Sequence, residues 1–330
     1  MKKTIPLVKI ESSLPKPFVE RLKNIIPPQK YQETLTSFAQ KRPTTLRTNT
    51  LKIKSNQLRK DLADKGILIH PVPWYSDAFY LDNISLRDLE KTKEYSEGLL
   101  YVQSLSSMIP PIILNPNPHQ KVLDITAAPG SKTTQIAAFM GNQGELIAND
   151  ISPIRILKLK SILNRLGVTN TKVTQKPAER IWLDYPEYFD KVLVDAPCSM
   201  EGRCSIWEKD SMKNWSVGNI NKLSYKQKTI LRSAVSAAKV GAYIVYSTCT
   251  LSAEENEEVV DWILNKEKGA LEIEPIHIPH LSFLPGMTEW DSKRYHPNLQ
   301  KTLRILPDKY MEGFYIAKLK KIRSTVHPLS

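Results

Sequence analysis

The chain has 330 residues, room for two domains or one large one, and 41% of them are hydrophobic, enough for a sizeable core and against global disorder. No apolar run approaches the ~20 residues of a membrane span, Met1–Pro6 lacks the apolar stretch of a secretory signal, and Cys198, Cys204 and Cys249 form no CxxC pair. This cysteine usage excludes a disulfide scaffold and a cysteine zinc finger and fits a reducing cytoplasm. The formal charge is +13, and it is uneven: the first 60 residues hold 14 Lys/Arg against 3 Asp/Glu, leaving +2 for the rest. A basic segment on a nearly neutral body points to a polyanion partner, against the plainer reading of a solvated basic surface.

In chain order, Phe18–Ile26 has apolar residues at helical spacing and stops at Pro27-Pro28. Thr44–Leu51 is rich in β-branched residues and reads as a strand. A helix is expected over Ser55–Lys65, ended by Gly66, and a short strand over Ala78–Leu81. These mixed elements predict a small α+β domain ending near residue 115, where Pro110-Pro111 and Asn115–Pro118 punctuate the chain. From there strands and helices alternate. Strands are expected at Lys121–Ile125, Glu145–Asn149, Thr171–Thr174, Lys191–Asp195, Ala242–Ser247 and Gly313–Lys318. Helices are expected at Ile154–Leu166 (stopped by Gly167), Asn221–Lys239 and Glu254–Asn265. The alternation predicts a mostly parallel, doubly wound sheet with ligands beyond the strands' carboxyl ends.

The turn after the first of these strands, Asp124–Thr133, is built of small residues before a helix start, which lets a ligand approach backbone N–H groups. Thr126 and Ser131 stand where a P-loop needs glycine, and no GxGxxG occurs, so nucleotide hydrolysis and dinucleotide binding are disfavoured. Asp150, ending the second strand, suits ribose hydroxyls, although alone it reads more often as a helix N-cap. Two later strands end in Asp195-Ala-Pro-Cys198-Ser199 and Tyr246-Ser-Thr-Cys249-Thr. A lone cysteine is usually a small core residue; two at adjacent functional edges point to thiol chemistry. Methylation of a pyrimidine 5-carbon needs such a thiolate, because adding it to the 6-carbon makes the 5-carbon nucleophilic. Asp195 would serve the polar edge of the ring.

Thr126–Thr133, Asp195–Ser199 and Tyr246–Asn256 together resemble the signature motifs of the Sun/Nop-type RNA cytosine-5 methyltransferases. The likeness extends to Arg42–Lys52, Tyr101–Met108, Arg304–Pro307 and Glu312–Tyr315, roughly residues 40–320. It implies a Rossmann-like methyltransferase domain over 116–325 with an α+β RNA-binding domain over 1–115. It also implies S-adenosylmethionine as cofactor, contacted by Thr126, Ala127, Ala128, Pro129, Gly130, Ser131, Lys132, Asp150, Arg155 and Asp195. Cys249 would be the nucleophile and Cys198 would assist release, with Lys132 also reaching the base. DNA cytosine methyltransferases use the cysteine after proline, which here would be Cys198. Three departures stand out: Ser131 and Met200 replace usual glycines, and Pro177 takes the place of an acidic residue near the adenine.

The expected partner is structured RNA, tRNA or rRNA, and the expected setting a cytoplasmic monomer. The six histidines, His70, His119, His277, His280, His296 and His327, lack metal-ligand spacing, and no metal is expected. Trp207, Trp215 and Tyr225 read as core or as base-stacking residues. Glu254–Glu257 would be a solvated helical turn but for its nearness to Cys249. The rival readings are a non-catalytic RNA-binding or assembly protein keeping the fold, and methylation of DNA or protein. Removing residues 1–60 is expected to weaken RNA binding and largely spare the cofactor site.

Overall fold

A computed structural model describes residues 5–326 except Asp82 and Lys209; Met1–Thr4 and His327 lie outside the described residues. Three N-terminal helices, α1 (Leu7–Ser12), α2 (Lys16–Ile25) and α3 (Pro28–Ser37), precede a four-stranded antiparallel sheet. That sheet is made of β1 (Thr44–Thr48), β2 (His70–Val72), β3 (Tyr75–Leu81) and β4 (Leu100–Val102), in the order β2-β3-β1-β4. Between its strands lie α4 (Ser55–Ala63), α5 (Leu86–Leu89) and α6 (Lys93–Ser96). Next come α7 (Leu105–Leu114), β5 (Lys121–Asp124), α8 (Ser131–Phe139), β6 (Glu145–Asn149), α9 (Pro153–Leu166) and β7 (Thr171–Thr174). The chain continues through β8 (Phe189–Asp195), α10 (Val217–Ala237), β9 (Ala238–Thr248), α11 (Glu257–Lys266) and β10 (Leu271–Glu274). The last strands are β11 (Leu284–Pro285), β12 (Glu289–Trp290), β13 (Lys293–Arg294), β14 (Leu303–Ile305) and β15 (Phe314–Lys321).

The large sheet runs β11-β14-β15-β9-β8-β5-β6-β7. The pairs β5–β6, β6–β7, β5–β8 and β8–β9 are parallel, as the strand–helix alternation predicts, and β15 adds antiparallel to β9. Strand order reverses at β5, so the ends of β5 and β8 open the crevice where ligands bind in such sheets. The central strands are buried on both faces: Val122, Leu123, Val192, Leu193, Val194, Ile244 and Val245 have no exposed surface. This explains their continuous apolar runs.

Two departures from expectation have local causes. Pro110-Pro111, read as punctuation, lies inside α7. The helix survives because it is apolar and packed, with Met108, Ile109 and Leu114 fully buried, and tertiary burial outweighs the two lost N–H donors. The N-terminal helices do not form a core with β1–β4. Phe18, Leu22, Ile26, Leu35 and Phe38 join Leu231, Val235 and Tyr246 in the main cluster around the large sheet, while Leu46, Leu58, Leu62 and Phe79 form a separate one. The apolar stripe of α2, Phe18, Val19, Leu22 and Ile25, is what docks it, each such side chain contributing about 1.5–3 kcal/mol.

Candidate active site

The loops leaving β5, β8 and β9 wall a cavity of about 560 Å³. The first turn is shaped by its small residues. The Ala128–Pro129 peptide is cis, and Gly130 sits at φ 115°. A Cβ on Gly130 would lie 2.8 Å from Leu159 Cδ1 of α9, so only glycine lets the chain turn this close to α9 and enter α8 directly. The first turn of α8 then presents N–H groups that have no intrahelical partner.

Lys132, 6% exposed, points back from α8. Its Nζ donates to Asp195 Oδ2 at 2.6 Å and to Ser107 Oγ at 2.8 Å. Ser247 Oγ donates to Asp195 Oδ1 at 2.9 Å, and Thr126 Oγ1 donates to the Asp195 carbonyl at 2.8 Å. The carboxylate is thereby fixed in orientation between a cation and a hydroxyl.

Asp150 is 3% exposed and accepts from Ala128 N at 3.2 Å and Ser152 N at 3.0 Å, with Arg155 Nη1 at 3.2 Å. Arg155 also donates to the Ala128 carbonyl. The cap of α9 is Ser152, not Asp150; Asp150 instead braces the turn from the cavity side. Asp124, buried beneath the turn, has its carboxyl pushed up to about 7, chiefly by burial and also by Asp195 and Asp150, against the Thr133 hydrogen bond. Its Oδ1 has no hydrogen-bond partner among the described residues.

Cys198 Sγ and Cys249 Sγ are 3.3 Å apart. The hydrogen bond to Cys249, burial and the nearby Glu255 carboxylate all hold the Cys198 thiol well above its ordinary range. The two sulfurs are in hydrogen-bonding contact, and either can be the donor. Cys204 has no exposed surface, and burial pushes its thiol up to about 12; it is a core residue.

Thr126, Ala128, Pro129, Ser131, Lys132, Asp150, Arg155, Asp195, Cys198 and Cys249 thus line one cavity. Ala127 and Gly130 do not; they are buried behind it and shape the backbone. Pro177 is also off the wall, whereas Ala178 and the partly exposed Glu179 are on it. Sequence reasoning missed Ser107, Ser247 and Phe314, although all three fall inside stretches already noted for their resemblance. Trp215 packs edge-on against Phe18 with centroids 5.4 Å apart, while Trp207 and Tyr225 are 62% and 73% exposed. The Glu254–Glu257 segment is not solvated: Glu255 and Glu257 have no exposed surface. Among the described residues no cluster of three or more His, Cys, Asp or Glu suits a metal, and no helix is long and apolar enough to cross a membrane.

Four of the 14 N-terminal Lys/Arg are tied to other parts of the chain. Arg21 pairs with Glu254 at 2.6 Å, and Arg42 Nε donates to the carbonyls of Asp308 and Met311 at 3.2 and 2.9 Å. Lys52 Nζ donates to the Glu97 and Arg165 carbonyls, each at 2.7 Å. Arg47, 1% exposed, donates to Gln103 Oε1 at 2.8 Å, Thr134 Oγ1 at 2.6 Å and the Ser131 carbonyl at 3.4 Å. Because Arg47 holds the first turn of α8, removing residues 1–60 would disturb the cavity, contrary to the expectation from charge alone.

The family model of the 16S rRNA methyltransferase RsmB/F matches residues 111–320, and that of the N-terminal domain of 16S rRNA methyltransferase RsmF matches residues 14–105. Ribosomal RNA small subunit methyltransferase F of Vibrio cholerae serotype O1 is 39% identical over 96% of this chain and 66% of its own length. This chain therefore spans just under two thirds of that relative. The tRNA (cytosine(49)-C(5))-methyltransferase of Pyrococcus abyssi is 40% identical over 84% of this chain and 88% of its own. A solved structure of a methyltransferase homolog protein from Pyrococcus horikoshii superposes with a TM-score of 0.82 at 31% identity, covering 96% of this chain and 98% of that one. With the motif turn, the Lys132–Asp195 pair and the two cysteines in place, the chain belongs to the RsmB/F family of 16S rRNA methyltransferases.

Proposed function

We propose that the chain methylates the 5-carbon of a cytosine in structured RNA, rRNA or tRNA, with S-adenosylmethionine as methyl donor. The observation that carries this reading is the thiol pair at 3.3 Å beside the Lys132–Asp195 ion pair at 2.6 Å, on the wall of one cavity. The residues present fit the cofactor. Asp150 and Arg155 offer a carboxylate and a cation at one side, and the α8 N-terminus offers unpaired N–H groups to a carboxylate. Ile125, Ala178 and Pro197 supply apolar wall. S-adenosylmethionine, when bound, supplies an electrophilic sulfonium methyl group.

The chain's own residues do the rest. Cys249 Sγ adds to the cytosine 6-carbon, forming the S–C6 bond and moving the ring π-electrons toward the 5-carbon and the N3 edge. Lys132 and Asp195 hold that edge and stabilise the charge that reaches it. Product leaves once the 5-carbon carries the methyl group: a base takes the 5-carbon proton, the C5–C6 double bond re-forms and the S–C6 bond breaks, returning the electron pair to Cys249. Cys198, in contact with Cys249, assists this release. The base must reach the cavity from a loop or by leaving its stack.

We also propose the division into an RNA-binding part over 1–115 and a catalytic part over 116–325, supported by family matches that break between 105 and 111, and a cytoplasmic monomer. A non-catalytic assembly protein would have no reason to keep a buried lysine aimed at a half-buried carboxylate beside two thiols, since burying the lysine costs desolvation energy. The test is incubation with methyl-labelled S-adenosylmethionine and total RNA. Label in 5-methylcytosine is expected; label absent, or in DNA or protein alone, refutes the proposal.

A further inference from the structure

The two cysteine loops hold each other through a reciprocal exchange of glutamates. Glu201, on the loop after β8, reaches the loop after β9: it accepts from Leu251 N at 3.1 Å, Thr250 Oγ1 at 3.0 Å and Ser252 Oγ at 2.9 Å. Trp215 Nε1 supports it at 2.7 Å. Glu255, from the loop after β9, reaches the other way and accepts from Ser199 N at 2.9 Å and from Ser199 Oγ. Gln227 Nε2 of α10 supports it at 2.9 Å and also donates to the Pro197 carbonyl at 2.8 Å. Ser199 Oγ and Thr250 Oγ1, the residues following the two cysteines, meet at 2.7 Å between the carboxyls. Neither glutamate has any exposed surface, and neither faces a cation close enough to pair with it among the described ion pairs.

We propose that Glu201 and Glu255 are paired positioning residues with divided roles: Glu201 places Cys249 for attack, and Glu255 places Cys198 for release. Each carboxyl grips the loop just past one thiol, so loosening it displaces that thiol more than the other. Burial in so costly a form is otherwise unexplained, since two buried carboxyls without a cation contribute little to stability. Burial, with Glu201 nearby, pushes the Glu255 carboxyl up to about 7, against its hydrogen bonds from Ser199 and Gln227. Near neutral pH it can therefore donate to, as well as accept from, the Ser199 hydroxyl. The titratable and charged groups facing the pair from the surrounding elements are Cys198, Cys204, Tyr246 and Arg304, with Trp215 and Gln227 as hydrogen-bond donors.

The inference rests on Cys249 being the nucleophile, and the experiment separates the two. A substrate RNA is mixed with the full chain and S-adenosylmethionine, and the covalent protein–RNA species is followed on denaturing gels through its rise and decay. Absence of any adduct in the unsubstituted protein, including its Cys198→Ala variant, overturns the nucleophile assignment and leaves the clasp without a step to position. With adduct present, Glu255→Gln is expected to slow decay about tenfold or more while changing formation less than about threefold. Glu201→Gln is expected to do the reverse. Ser199→Ala and Thr250→Ala, which remove one hydroxyl each and leave both carboxyls in place, should show the same split in weaker form. Equal losses in both steps for both glutamate variants, or no change in either, would overturn the divided roles.

Discussion

Arg47 gives the sharpest discrimination between a phosphate-gripping and a structural role for the basic N-terminal segment. It lies on β1, is 1% exposed, and reaches across to Thr134 at 2.6 Å and to Gln103 at 2.8 Å, with its guanidinium carbon 5.3 Å from the Tyr101 ring centroid. Burial pushes its guanidinium down to about 10, which leaves it cationic at neutral pH. Arg47→Ala removes two well-formed hydrogen bonds to a charged donor, about 1.5–3 kcal/mol each, partly offset by no longer burying the cation. A net loss of about 3 kcal/mol, or roughly 4 °C in Tm for a chain of this size, follows. Differential scanning calorimetry measures the shift, and S-adenosylmethionine affinity should fall with it because the start of α8 loses its tie. RNA binding titrated at several salt concentrations provides the contrast. A lost phosphate contact would flatten the salt slope by about 0.9 and leave Tm unchanged. That result would refute the structural role; an unchanged slope with a lowered Tm is expected.

Asp124 and Glu255, both raised to about 7, contribute stability that is complete below the ordinary carboxylate range and is lost as pH rises toward and through 7. Asp124→Asn should therefore leave stability nearly unchanged at pH 3 and raise it, by about 1.5 kcal/mol at pH 5 and up to about 4 kcal/mol at pH 8 for a three-unit shift, read as a higher Tm; a gain at pH 3 that shrinks toward pH 8 contradicts the sign. Gly202→Ala places a Cβ 2.1 Å from the Gly313 carbonyl oxygen, where Gly313 N bonds Gly202 O at 2.9 Å and Gly202 N bonds Cys249 O at 3.0 Å. About 1–3 kcal/mol of stability should be lost to overpacking, read as a lower urea midpoint, together with slower adduct formation. Lys132→Gln removes the cation that orients the Asp195 carboxylate and should slow adduct formation without weakening RNA binding, measured by filter binding.

What the sequence made legible is the part set by period and chain order. Alternating apolar runs and helices from Lys121 onward are enough to predict parallel strands whose ends carry Asp124–Thr133, Asp195–Ser199 and Tyr246–Thr250. Doubly wound topology then brings those ends together. Contacts decided by burial were not legible. Pro110-Pro111 looks like a boundary until Met108, Ile109 and Leu114 are seen to pack. Arg42 and Arg47 look like phosphate ligands until their carbonyl, amide and hydroxyl partners, 56 or more residues away, are known. Asp150 and Ser152 are both good N-caps by type, and only geometry chooses Ser152. The Glu201–Thr250 and Glu255–Ser199 contacts cross between loops 49 and 56 residues apart, a separation at which no local pattern exists to be read.

The division of labour between the two thiols is the centre of the account. It is tested most directly by running Cys249→Ala and Cys198→Ala proteins, each mixed with substrate RNA and S-adenosylmethionine, on denaturing gels. The account predicts no covalent RNA adduct with Cys249→Ala and a persistent one with Cys198→Ala. An adduct that survives Cys249→Ala and vanishes with Cys198→Ala would make Cys198 the nucleophile and contradict it.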